Sequence, residues 1–311
     1  MKKIFYKILK SLFNFRNKQN KEIFENFCSE FNFLDIGAAE GLDKRWSILK
    51  KKINFFFVEP HPKSSEDLLV KNKNIITKVF DEKAGLVKSF FLTNKATCSS
   101  FLKPNIGHLK LFKDLNRYEI KNILKFETST VDQEFSDISL DFVKIDTQGS
   151  ELNILKGSQS SLGHIMGLEI ECEFFKLYED QPLFEDVKNF LQNNNLYLFD
   201  FLDIIRWERN KFSHLGQPQF ADILFLRSPE NVIELYEKKL ISLDKVKNYV
   251  LILTIYNKHD LLITLDDKFK KFNNEIDFNY FIRLTKKNCY YLNLIERYSL
   301  LLKRMINRRD N

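Results

Sequence analysis

The residues of this chain that could do chemistry sit at the ends of short apolar runs or inside them. In LDIGAAEG, residues 34–41, Asp35 precedes a stretch of small residues, Gly37, Ala38, Ala39 and Gly41. In INFFFVEP, residues 53–60, Glu59 closes the run. In DFVKIDTQG, residues 141–149, Lys144 and Asp146 stand two apart, and in LEIECE, residues 168–173, Glu169, Glu171 and Glu173 alternate with apolar residues. A carboxylate at the carboxyl end of a strand can accept hydrogen bonds from both hydroxyls of a ribose. One facing a crevice can orient or deprotonate a hydroxyl, or hold a divalent cation. Glu59 suits the first role. Asp146 suits the second, with Glu171 as its partner in proton transfer or metal binding.

Lys144 poses a separate question. Alternate residues of a strand share a face, so Phe142, Lys144 and Asp146 lie on one side and Val143 and Ile145 on the other. An unpaired lysine in a central strand would cost several kcal/mol, so it needs a partner. If the strand at 166–173 is its neighbour, Lys144 faces Glu169 or Glu171. A buried ion pair is the favoured reading. A catalytic base with a depressed pKa comes second. Glu151, in the first turn of the following helix, complements the helix dipole.

The small residues at 37–41 occupy a strand-to-helix turn, where a ligand can come close to the backbone. A dinucleotide would want G-x-G-x-x-G, but Ala39 and Leu42 stand where the second and third glycines belong, and Glu40 would repel a pyrophosphate. S-adenosylmethionine has no phosphate. Its cationic sulfonium and ammonium favour nearby acids, here Asp35 and Glu40. Asp81, after a third apolar run, is placed to meet an adenine amino group, or to serve as a turn residue before Gly85.

These residues need elements to position them. Apolar runs at 32–38, 53–58 and about 75–80 alternate with helical stretches, which predicts a parallel, doubly wound α/β sheet. Stretches 85–93 and 122–131 read as extended, and 94–120 reads as loop with a helical piece. A strand over 140–146 follows, then a helix over 148–157, a strand over 166–173 and a helix over 183–194. Strands near 196–204 and 219–227 read as an antiparallel finish to the sheet. All nine glycines fall between 37 and 216, and after Pro229 neither Gly nor Pro occurs. This shift marks a boundary near 228 and a helical C-terminal appendage over 228–311.

Composition narrows the class. At 311 residues and 44% hydrophobic, the chain can bury a full core. Its four cysteines lie far apart, as reduced thiols of a cytosolic protein would. The net charge is +7, but residues 1–21 hold seven Lys/Arg and no acid, and the last nine hold four against one acid. The 281 residues between them are about −3 in formal charge. A near-neutral body argues against nucleic acid as partner. Residues 1–21 read as a basic amphipathic helix. It either packs on the domain or touches an anionic membrane surface at its inner face. The folded body then spans 22–227.

The stretch VDQEFSDISLDFVKIDTQGSELNILKG resembles the signature segment of the FkbM family of S-adenosylmethionine-dependent methyltransferases. Asp132, Asp141, Lys144, Asp146, Gly149, Glu151, Leu155 and Gly157 match its pattern. LDIGAAEG is similar to the family's first glycine motif, and Val58-Glu59-Pro60-His61-Pro62 to its acidic second-strand end. Cys98-Ser99-Ser100-Phe101-Leu102 resembles its Ser-rich element, which adds Ser100 to the cofactor-binding residues. Residues 168–191 resemble its E-x-E-F segment and following helix. The resemblance covers about 30–227. It implies a Rossmann-like class I methyltransferase sheet and methyl transfer to a hydroxyl, often on a sugar or natural-product scaffold, as in polysaccharide biosynthesis. Asp146 is the base by position.

Two other classes compete. A nicotinamide-dependent oxidoreductase shares the architecture but would want the missing glycine motif. A non-catalytic binding module would act through the helical tail, but Asp35, Glu59 and Asp146 are all in place. The tail, 229–311, could pair two copies of the chain or dock on a partner enzyme.

Overall fold

The apolar runs form strands because their β-branched and aromatic residues alternate between two covered faces. The computed structural model describes residues 23–24, 26–27, 30–39, 41, 43, 45–46, 53–60, 74–209, 216–271 and 277–290. The basic N-terminal helix, Glu40, Leu42, His61, Pro62 and the end of the chain lie outside them. Two compact units divide the chain, 1–227 and 228–311.

The first unit holds a seven-stranded sheet of β1 (Phe31–Ile36), β2 (Ile53–Val58), β3 (Ile75–Ile76), β7 (Phe142–Ile145), β8 (Gly167–Glu173), β9 (Tyr197–Trp207) and β10 (Gln217–Leu226). Their spatial order is β3-β2-β1-β7-β8-β10-β9. The first five run parallel to their neighbours. β10 runs antiparallel to both β8 and β9. The sheet is doubly wound and Rossmann-like, with the expected antiparallel finish.

β4 (Val79–Phe80), β5 (Val87–Thr93) and β6 (Ile120–Ser129) form a second, three-stranded sheet in the order β4-β6-β5. The single strand expected over 75–80 is therefore two strands in two sheets. Exposed Thr77 and Lys78 interrupt the run, and the chain leaves one sheet for the other there. β6 ends before Val131, because Thr130 caps the helix Val131–Glu134 by accepting from the Gln133 amide at 3.1 Å.

Strand parity separates two chemistries. One face of the main sheet carries Leu34, Ile36, Val143, Ile145, Leu168, Ile170, Ile223 and Phe225, all in the main core cluster. Helices Glu151–Lys156, Gln159–Leu162 and Phe184–Asn193 pack there through Ile154, Leu155, Leu162, Val187 and Leu191. Burying each such side chain stabilises by about 1.5–3 kcal/mol. The other face carries Asp35, Lys144, Glu169, Glu171, Glu173 and Asp222, in register across β1, β7, β8 and β10. Below them an aromatic group of Phe33, Trp46 and Phe142 closes that face, with ring centroids 4.8–5.5 Å apart.

The second unit is helical. Its helices Pro229–Glu237, Leu243–Ile255 and His259–Phe269 are followed by another over 279–290. Ser228 and Ser242 cap the first two through their hydroxyls. Tyr249 to Leu253 are fully buried, so this stretch of the second helix is covered all round.

Candidate active site

The first turn of the site is set by one glycine. Gly37 has φ +86°, and a Cβ there would lie 1.8 Å from the carbonyl oxygen of Asp146. Only glycine lets β1 and β7 finish so close together. The ends are fastened by backbone bonds: Gly37 N donates to Val58 O (2.9 Å) and Asp146 N to Ile36 O (2.9 Å). Glu59, Gly37 and Asp146 are thereby held at one edge of the sheet.

The second turn is 147–150. The helix expected from 148 starts at Glu151, because the turn is wound against it. Gln148 has φ +59° and Gly149 φ +112°. Glu151 is buried, and its carboxylate oxygen accepts from Thr147 N (2.8 Å), Thr147 Oγ1 (2.9 Å) and Gly149 N (3.1 Å). Its role is therefore to hold this turn, beyond any effect on the helix dipole. Ser100 Oγ donates to Gln148 O (2.7 Å) and accepts from Leu102 N (2.9 Å). Ser100 is fully buried and ties the turn to the segment after β5.

Above these turns lies a cavity of about 290 Å³. Of the residues expected to form the site, Gly37, Ala39, Glu59, Asp146 and Glu171 line it. Asp35, Ala38 and Lys144 lie behind them in the sheet and its first turn, and Gly41 closes that turn through its amide to Ala38 O (2.8 Å). Asp81 is buried and ion-paired to Lys88, and its other oxygen accepts from Glu82 N (2.9 Å). It is not among the lining residues, though its neighbour Phe80 is.

Lys144 is paired differently from the expectation. Its ammonium lies 3.9 Å from Asp35 Oδ1 and 3.9 Å from Asp146 Oδ2, and Glu169 is held instead by Arg45 at 3.0 Å. The reason is topological: β7 lies between β1 and β8, so Lys144 has carboxylates on both flanks. Burial alone would lower its pKa, but Asp35, Asp146 and Glu169 outweigh burial and the net direction is up. That is opposite to what a neutral base requires. Lys144 is a fixed cation beneath the site.

Burial acts on the carboxyls in the other direction. It pushes Asp35 up to about 7, with Lys144 offsetting part of the rise. Glu171 rises well above the ordinary range, first through burial and then through Asp146, Glu173 and Glu151. Gln148 spans the two lining acids. Its Nε2 donates to Asp146 Oδ1 (3.0 Å) and to Glu171 Oε1 (2.6 Å). Its Oε1 lies 3.0 Å from the hydroxyl of buried Tyr178. An amide thus stands where a cation bridging the two acids would stand. Among the described residues, no group of three or more His, Cys, Asp or Glu is placed to hold a metal ion.

Gln148, Arg117, Tyr118 and Trp207 are lining residues that sequence reasoning passed over. Arg117 and Tyr118 come from the stretch read as loop with a helical piece, and Trp207 lies just beyond the strand expected near 196–204. The one available signal was the aromatic and cationic content of those stretches.

The family model described as the methyltransferase FkbM domain matches residues 35–199, more than half of the chain. The chain belongs to the FkbM methyltransferase family. The match takes in Asp35, Glu59, Asp146, Gln148 and Glu171 and stops before Trp207. Two residues of the FkbM signature are structural clasps here. Asp132 accepts from Ser160 N (2.8 Å) and from Ser161 N (2.8 Å) and Oγ (2.7 Å), and Asp141 accepts from Asn32 N (2.8 Å). No curated protein sequence matches the chain. Among solved structures, an FkbM methyltransferase from Methylobacillus flagellatus KT is 14% identical with a TM-score of 0.39, over 64% of this chain and 44% of that one. A magnesium protoporphyrin IX methyltransferase from Synechocystis PCC 6803, solved with bound SAM, is 7% identical with a TM-score of 0.33, over 68% of this chain and 80% of that one. The chain thus spans less than half the length of the FkbM structure it resembles. No helix among the described residues is long and apolar enough to cross a membrane.

Proposed function

We propose that this protein is an S-adenosylmethionine-dependent O-methyltransferase whose acceptor is a sugar hydroxyl. The observation that carries the reading is the row of carboxylates along the cavity floor: Glu59, then Asp146, then Glu171. The donor set fits the cofactor. A glycine with positive φ and two alanines leave room against the backbone, a buried carboxylate ends β2, and the acidic floor suits a cation better than a pyrophosphate.

S-adenosylmethionine, when bound, supplies an electrophilic methyl group on a sulfonium. The chain's own residues do the rest. Glu59 accepts hydrogen bonds from ribose hydroxyls. Gly37 and Ala39 admit the ligand to the backbone. Asp146 orients the acceptor hydroxyl and takes its proton. Glu171, whose pKa burial raises, is held beside Asp146 by the Gln148 amide that donates to its Oε1. Lys144 holds its charge against Asp146. Most of the rate then comes from orientation. The sugar is supported by the FkbM resemblance and by the aromatic rings of Phe90, Phe101 and Trp207 among the lining residues.

The test is calorimetric binding of S-adenosylmethionine, S-adenosylhomocysteine and NAD to the full chain, with Glu59→Ala alongside. Binding of both adenosyl ligands but not NAD, weakened at least tenfold in Glu59→Ala, is the expected result. Binding of NAD alone would turn the reading to the oxidoreductase. A folded protein that binds none of the three would end the enzyme reading.

A further inference from the structure

The cavity has a second charged wall. Lys95 and Arg117 line it away from the acidic floor, together with Tyr118, Trp207 and Phe220. The guanidinium carbon of Arg117 lies 4.5 Å from the Trp207 ring centroid and 5.0 Å from that of Tyr118. Among the described residues no carboxylate pairs with it, and its Nε is buried with no hydrogen-bond partner. A buried donor without a partner is costly, so this guanidinium is not satisfied by the protein alone.

Resting on the methyl-transfer reading, we propose that the acceptor carries an oxyanion, a carboxylate or phosphate on the sugar, and that Arg117 seated on Trp207 binds it. Arg117 is well placed for this. Its carbonyl accepts from Lys95 N (3.1 Å), and Asn94 Nδ2 donates to Asn116 O (2.7 Å). Two separate segments, each bringing a cation to the cavity lining, are thereby joined. A planar guanidinium binds carboxylate or phosphate through two parallel hydrogen bonds, and the Trp207 ring holds it in place by cation–π contact.

Topology separates this wall from the cofactor end. Trp207 closes β9, four strands from β1 in the sheet order, or roughly 19 Å at the usual strand spacing. Asp146 and Glu171, on β7 and β8, lie between. The order along the cavity is ribose carboxylate, proton acceptor, anion binder. Trp207 and Phe220 fall outside the 35–199 match, and Arg117 falls within it.

The experiment uses tryptophan emission. The chain has two tryptophans, and Trp46 is buried in the core, so ligand-dependent changes report on Trp207. The full chain, saturated with S-adenosylhomocysteine, is titrated with D-glucuronate, α-D-glucose 1-phosphate, inorganic phosphate and methyl α-D-glucoside. The two acidic sugars should give saturable changes, about ten- to hundredfold tighter than the neutral glucoside. Arg117→Gln should erase that preference and leave S-adenosylhomocysteine affinity within twofold. Arg117→Lys should keep part of it, and serves if Arg117→Gln does not fold. Inorganic phosphate binding as tightly as the sugars would mean an adventitious anion site and overturn the proposal. So would equal response, or none, to acidic and neutral sugars. A tenfold loss of S-adenosylhomocysteine affinity in Arg117→Gln would assign Arg117 to the cofactor's carboxylate and also overturn it. If wild type fails to bind S-adenosylhomocysteine at all, the methyltransferase reading itself has failed, a result distinct from these.

Discussion

Replacing Asp35 by asparagine should stabilise the protein at neutral pH, although Asp35 faces a lysine. The carboxyl is buried, with its Oδ1 lacking a hydrogen bond and Lys144 no nearer than 3.9 Å. Burial wins, and the folded pKa stands at about 7. The unfolded value is about 3.9. Between those values the folded state binds the proton and the unfolded state does not, so stability falls as pH rises through that window. This sign is opposite to that of an aspartate in a strong ion pair. At about 1.4 kcal/mol per pH unit, the cost is about 4 kcal/mol at pH 7.5, of which about 1 kcal/mol is already present at pH 4.5. Asparagine has the same shape and no charge to bury. Asp35→Asn should therefore gain about 3 kcal/mol on wild type between pH 4.5 and 7.5, read from urea midpoints at fixed m-value. Comparing the two proteins cancels the same-signed contributions of Glu171 and Glu173. If Asp35→Asn is the less stable protein at pH 7.5 by 1 kcal/mol or more, Coulomb attraction to Lys144 outweighs burial and the reasoning is refuted.

Gln148→Leu removes the donor shared by Asp146 and Glu171; kcat should fall about ten- to hundredfold, S-adenosylhomocysteine affinity should hold within a few-fold, and the pH–rate profile should shift, as rate and calorimetric measurements would read. Gly37→Ala drives a Cβ to 1.8 Å from the Asp146 carbonyl in a left-handed conformation, so the melting temperature should drop by several degrees or the protein should be insoluble. Ser100→Ala loses the bond that anchors the 147–150 turn, which should cost about 1 kcal/mol in denaturant unfolding and lower kcat.

The sheet and its acidic edge were legible because parity carries both. Val143 and Ile145 against Lys144 and Asp146 state which face is core before any strand is paired. The partner of Lys144 was not legible, since adjacency in the sheet is a property of topology: Asp35 is far away in sequence and one strand away in space. The turn at 147–150 hid for another reason. A non-glycine residue in the left-handed region, Gln148, carries no mark in the sequence; the Glu151 carboxylate on its neighbours and Ser100 on its carbonyl hold the conformation. The far wall was least visible. Arg117 and Trp207 lie 90 positions apart with no shared pattern, and their meeting depends on β9 reaching past residue 204.

The place of β10 bears on how the chain is made. It is the last strand of the first unit in sequence, yet it sits between β8 and β9. During synthesis, β8 emerges with one edge open, and β9 emerges with no neighbour to bond. Neither edge closes until residue 226 is clear of the ribosome. At about 5–20 residues per second, the 53 residues between the end of β8 and the end of β10 take roughly 3–11 s. For that interval the acidic face of β8, carrying Glu169, Glu171 and Glu173, borders an unpaired strand edge. Inward-pointing charge on an open edge is a known guard against wrong pairing between chains. The same row of carboxylates that gives the site Glu171 would then protect the nascent sheet before there is any site to line.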